Sequence, residues 1–119
     1  MPSTAKPRVL VETVSGVTVA TFADSELTEE YVLEEVSDQL NGLADHLALS
    51  QVVLNFREVK YMSSMMMAVL LKFQRKVTGA GGLVKLCCIA PNLKQIFKIM
   101  GFDKLFQVYE EESDALDSF

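Results

Sequence analysis

Val52-Val53-Leu54-Asn55-Phe56, Arg57-Glu58-Val59-Lys60 and Tyr61-Met62-Ser63-Ser64-Met65-Met66-Met67-Ala68-Val69-Leu70-Leu71 follow one another without a break. Their reading decides the fold. The first five residues form a short apolar run, which predicts a strand buried on both faces and flanked by helices. The next four are a mostly polar connection. A helix then starts near Ser63 or Ser64 and ends at Thr78-Gly79. At 100° per residue, Met66, Leu70, Phe73 and Val77 share one side and face the core, while Lys72, Arg75 and Lys76 mark the opposite side. Met65 and Ala68 fall on the basic side, and Leu71 borders it.

Upstream, residues 9–14 are β-branched and apolar-rich, Ser15-Gly16 is a two-residue turn, and residues 17–22 alternate with period two. Together they predict an antiparallel hairpin. Residues 1–8 are polar, carry two prolines and read as a frayed lead-in. Thr28 suits a helix cap, with Glu29 and Glu30 favourable at the positive end of the dipole. Leu33, Val36, Leu40 and Leu43 form its apolar stripe. Asn41-Gly42 ends this helix, or it continues to Leu47.

Downstream, residues 79–82 (Gly-Ala-Gly-Gly) make a turn before a strand over residues 83–89. Pro91 opens a third helix, with Leu93, Ile96, Phe97 and Met100 as its apolar stripe and Gly101 as its C′ residue. Residues 106–109 are a last strand, and residues 113–116 suit a closing helical turn. The order β-β-α-β-α-β-α-β predicts an α/β single domain. Its mixed sheet has four to five strands, an N-terminal antiparallel hairpin and parallel pairing elsewhere.

Composition narrows the function. Of 119 residues, half are apolar and six are Met, yet the longest apolar run, residues 65–71, falls far short of the roughly 20 needed to span a bilayer. The expectation is a soluble chain with no membrane partner. The start lacks the apolar stretch of a secretory signal, and two adjacent cysteines cannot join distant segments, so a reduced cytoplasmic setting is expected. Eleven basic and sixteen acidic residues give a net charge of −5, which argues against nucleic acid as a partner.

Conventional catalytic signatures are missing, so no enzyme, metal or cofactor is expected. His46 is the only histidine, which leaves neither a metal-binding pair nor a Ser–His arrangement. It reads as a surface or capping residue. The glycines at 79, 81 and 82 lack the Lys-Ser/Thr of a phosphate-cradling loop. Cys87-Cys88 lies in the strand-like run, where neighbours point to opposite faces, and reads as two buried thiols acting as small hydrophobes.

Two readings of Ser63-Ser64 stand side by side. In one, a hydroxyl caps the helix by accepting a backbone N–H. In the other, the helix mouth favours an anion, and a phosphate there adds about −1.5 to −2 charges at pH 7. Met65 either covers a neighbouring loop or belongs to an adaptable contact strip beside the serine.

From these residues outward, the chain resembles the STAS domain family of bacterial anti-sigma factor antagonists over about residues 9–116. The resemblance rests on the order of elements, on Val52-Val53-Leu54-Asn55-Phe56, on Tyr61-Met62 before the serines and on Gly81-Gly82 before a strand. It rests also on Ile96-Phe97-Lys98-Ile99-Met100-Gly101-Phe102-Asp103-Lys104-Leu105-Phe106. In that family the helix mouth usually reads Asp, Ser or Thr, Ser, Gly, Leu, Gly. Here Ser63 takes the Asp position, Ser64 the phosphoacceptor position, Met65 that of the second hydroxyl, and Met66-Met67-Ala68 that of Gly-Leu-Gly.

The resemblance implies helices packed mainly on one side of the sheet, and a switch protein rather than an enzyme. Its partners would be an anti-sigma factor serine kinase and a serine phosphatase, with a weak homodimer allowed. Ser64 would be the phosphorylation site and Ser63 the second choice. Ser63, Ser64, Met65, Ala68, Leu71, Lys72 and Arg75 would form the partner surface. The alternative is a non-switching STAS scaffold that associates with itself or with sensor proteins. A small-ligand or nucleotide receptor is a third reading, for which no phosphate-cradling loop speaks.

Overall fold

The computed structural model describes residues 7–46 and 51–119. Ser15 and Gly16 both adopt positive φ, 51° and 81°, which gives the turn the twist that antiparallel strands need. It joins β1 (Val9–Val14) to β2 (Val17–Phe22) with Val14 opposite Val17 and Val9 opposite Phe22. β4 (Gln51–Asn55), β6 (Leu83–Cys87) and β7 (Gln107–Tyr109) then add in parallel, in the order β1-β2-β4-β6-β7. The sheet is mixed and five-stranded, within the four to five strands expected from the alternation of strands and helices.

Three helices cover one face: α1 (Glu30–His46), α2 (Ser64–Gly79) and α3 (Pro91–Ile99). Val32, Leu33, Val36 and Leu40 of α1 meet Met66, Leu70, Phe73 and Val77 of α2 over Ala20, Phe22, Leu54, Phe56 and Leu86. Asn41-Gly42 does not end α1, which continues through His46; Leu47 lies outside the described residues. α1 begins at Glu30, a residue later than a Thr28 cap would place it. Gly101 has φ 76° directly after α3, where a left-handed residue closes a helix end. Arg8 is tied to Asp24 at 2.8 Å and to Glu35 at 3.4 Å, so the backbone is anchored where β1 begins.

The other face is thinner. Among the described residues α4 (Glu112–Asp117) is the one helix there, with Ala115 fully buried among Val17, Val19, Val53 and Cys87. Two short strands, β3 (Glu26–Leu27) and β5 (Tyr61–Met62), form a separate parallel pair that the sequence pattern does not announce. Two residues are too few to show a period, and the pairing comes from tertiary contact.

The Cys87-Cys88 expectation needs one correction. Cys87 ends β6, but Cys88 has φ 62°, so the strict alternation of a strand stops there. Cys87 is buried and Cys88 half-buried, and both pack on the α4 side rather than on opposite faces. Burial pushes the Cys87 thiol up from its ordinary range, and Cys88 and Glu112 nearby add to this. A protonated, enclosed thiol is a poor nucleophile.

Candidate functional site

The connection after β4 is held at three levels before it reaches the serines. Asn55 Oδ1 accepts the N–H of Arg57 at 2.9 Å, and the N–H of Val59 reaches the Phe56 carbonyl at 2.9 Å. The N–H groups of Lys60 and Tyr61 donate to the Ser25 carbonyl at 2.7 and 3.2 Å, and that of Ser63 to Leu27 at 3.0 Å. Asn92, in the first turn of α3, donates to the Lys60 carbonyl at 3.0 Å. The helix mouth is therefore fixed against β3 and against α3.

Ser63 is the N-cap residue of α2, with extended dihedrals (φ −86°, ψ 164°). Its carbonyl accepts the N–H of Met66 at 3.1 Å. Its hydroxyl makes no capping bond and is enclosed without a hydrogen-bond partner. Half of the capping reading thus holds: Ser63 has the position and the backbone, and not the side-chain bond. Ser64 is the first residue of α2 and is exposed. No acidic residue occupies the first turn, so the positive end of the dipole faces no carboxylate of its own helix.

Beside the serines lies a shallow cleft of about 90 Å³ lined by Met62, Ser63, Ser64, Met67, Ile96 and Met100. Its α3 wall corrects the third helix's expected stripe. Leu93 and Phe97 are buried, but Ile96 and Met100 are 39% and 45% exposed, and Ile99 is 84% exposed. A nine-residue helix packs only its central line against the sheet, so the edge of a wide apolar band is left for the seam with α2. Ile96 and Met100 line the cleft, which their expected place in the core did not announce. The available signal was the width of the band, since apolar residues at 96, 97, 99 and 100 exceed one face of a helix.

The residues singled out on α2 divide into two groups. Ser63, Ser64, Met65 and Ala68 come together within the first two turns, with Met65 51% exposed and Ala68 exposed. Leu71 is half-buried, while Lys72 and Arg75 are exposed about 12 and 16 Å further along the axis at 1.5 Å per residue. Lys76 is paired with Asp45 of α1 at 2.8 Å. His46 is exposed at the end of α1. Among the described residues no group of three or more His, Cys, Asp or Glu side chains is placed to hold a metal ion. Nor is any helix there long and apolar enough to cross a membrane.

A five-stranded mixed sheet, three helices on one face and a serine-bearing helix mouth beside an apolar cleft define a small α/β domain whose distinctive feature is a surface rather than an enclosed pocket. The STAS domain family model matches residues 7–115, and the chain belongs to that family. An anti-sigma-factor antagonist (STAS) domain protein from Planctomyces limnophilus superposes with a TM-score of 0.82 at 16% identity, covering 92% of this chain and 96% of that one. An anti-sigma factor antagonist from Mycobacterium paratuberculosis gives 0.80 at 19% identity, with 96% and 97% covered. The phosphorylated form of the Bacillus cell-fate determinant SpoIIAA gives 0.70 at 19% identity, with 92% and 97% covered. At these identities the likeness establishes the shared fold.

Proposed function

We propose that this chain is a cytoplasmic anti-sigma factor antagonist that acts by binding rather than by catalysis. Its unphosphorylated form engages an anti-sigma factor serine kinase, phosphorylation of Ser64 releases that partner, and a serine phosphatase resets the switch. The observation that carries this reading is the exposed Ser64 at the start of α2, next to exposed Met65 and on a cleft whose apolar rim includes Ile96 and Met100. A kinase must reach its acceptor, and Ser64 is accessible where the Ser63 hydroxyl is enclosed. The same rim explains the switch. A phosphate adds about −1.5 to −2 charges at pH 7. Burying a charge unpaired in an apolar interface costs several kcal/mol, and about 1.4 kcal/mol is already tenfold in affinity.

Phosphosite mapping after incubation with a kinase of the anti-sigma type tests both halves. Ser64→Ala is expected to abolish the label while retaining partner binding. Undiminished labelling of Ser64→Ala would move the site elsewhere, and a chain that no such kinase binds would overturn the function. Ser64→Asp separates the switch from the scaffold alternative. The switch reading expects binding to weaken by about tenfold or more. Asp is also a good residue at a helix start, so a pure scaffold would tolerate it.

A further inference from the structure

α4 is a six-residue helix, and six residues do not sustain a helix alone, since isolated helices are marginal below about 12–15 residues. Its folding and its docking are therefore one event. Five carboxylates crowd residues 110–117 (Glu110, Glu111, Glu112, Asp114 and Asp117) in a chain of net charge −5; Glu110, ahead of the helix, is paired with Lys94 of α3, and the other four repel one another.

What holds it down is unusual for a sheet face. Lys85, at the middle of β6, is buried beneath it. The ammonium donates to the Ser118 carbonyl at 2.9 Å and to the Ser118 hydroxyl at 2.7 Å. It lies 4.3 Å from the centre of the Phe119 ring and 5.6 Å from that of Tyr109. At the other end of α4, Asn55 Nδ2 donates to the Glu112 carboxylate at 2.8 Å. Between these anchors the apolar contact narrows to Ala115, with Leu116 and Phe119 half-buried.

Lys85 finds its acceptors only while the segment is docked, and once freed the ammonium would return to water. Asn55 connects the segment to the rest of the molecule, because its Oδ1 also holds the N–H of Arg57, where the connection to Ser63 begins. We propose that α4 is a releasable strap. It is latched by Lys85 and Asn55, its departure uncovers the apolar face around Val17, Val19, Val53 and Cys87, and Asn55 passes that departure to the loop carrying the serines. This goes beyond the kinase-controlled reading and does not depend on it.

Cys87 supplies the readout, since it is fully buried on the face that α4 covers. In the full chain, with Cys88→Ser leaving one thiol, Ala115→Arg forces the strap off from its own side. Alkylation of Cys87 by iodoacetamide should then accelerate about tenfold or more, with a cooperative unfolding transition retained and faster amide exchange over residues 57–63. Phe119→Ala, which removes one ring from the latch, should accelerate alkylation by about threefold. A Cys87 that stays protected in both variants would overturn the strap. So would loss of the cooperative transition in Ala115→Arg, which would make α4 an integral part of the fold. Unchanged exchange over residues 57–63 while Cys87 reacts would overturn the link through Asn55.

Discussion

The two faces of the sheet are built on different terms. On the helical face, ring contacts run from Phe22 to Phe56 at 4.9 Å, on to Phe97 at 6.2 Å and from there to Phe102 at 5.8 Å. Three helices close over them, and apolar side chains fill the layer. On the other face one short helix covers valines, a thiol and a lysine whose acceptors come from the segment on top of it. The first layer specifies the fold through volume and shape. The second depends on a few directed bonds, and directed bonds can be broken one at a time.

The largest expected effect lies on the helical face. Phe56 is fully buried between two other rings, so Phe56→Ala should lower unfolding stability by about 3–5 kcal/mol. Urea titration measures it. A loss below about 1 kcal/mol would erase the contrast between the faces.

On the α4 face the outcome should depend on what replaces the lysine. Lys85→Ala strands the Ser118 acceptors and both rings, and should cost about 1–3 kcal/mol. Lys85→Met keeps most of the bulk and loses only the ammonium's bonds, so it should cost about 1 kcal/mol, less than Lys85→Ala. A Lys85→Met variant as stable as the parent would mean that bulk, and not the ammonium, holds the strap.

A smaller effect appears with pH. Burial raises the Cys87 thiol above its ordinary value of 9.0, so the native state keeps a proton that the unfolded chain releases. The native state then binds more protons than the unfolded one, and stability is complete below pH 9.0 and falls as pH rises above it. The slope should approach about 1.4 kcal/mol per pH unit. Subtracting the pH dependence of Cys87→Ala isolates the contribution of this thiol. Parallel curves for the two proteins would show that the thiol is not enclosed by α4.

The faces also differ in how legible they were. The helical side has long periodic elements, and Met66, Leu70, Phe73 and Val77 came out buried together as their spacing predicts. The α4 face offers little pattern: one buried alanine in the helix, a lysine inside a strand, and a cysteine pair whose alternation is broken by a positive φ at Cys88. The site was legible in part. Ser63, Ser64, Met65 and Ala68 follow from helical spacing, because they lie within the first two turns of one helix. The Ile96 and Met100 wall does not, because it depends on how α3 is set against the mouth of α2. That setting comes from Asn92 on the Lys60 carbonyl and from the β3–β5 pair, both tertiary contacts between short segments.

The smallest effect is the one that decides what kind of helix start the serines form. Replacing a Ser that caps a helix by Ala costs about 1 kcal/mol, because a backbone donor loses its acceptor. Ser63 has the cap's position and backbone, yet its hydroxyl accepts nothing and sits enclosed without a partner. Removing a polar group that is already unsatisfied relieves its desolvation cost. Ser63→Ala should therefore leave stability unchanged or raise it by up to about 1 kcal/mol. A loss of about 1 kcal/mol would restore the capping role and make this mouth an ordinary helix start. A neutral or positive result would leave the hydroxyl without a structural task, on the wall of the same cleft where Ser64 meets Ile96 and Met100. Measuring partner affinity for the same variant then turns the comparison on function, since a side chain that contributes nothing to folding yet is needed for binding belongs to the contact surface.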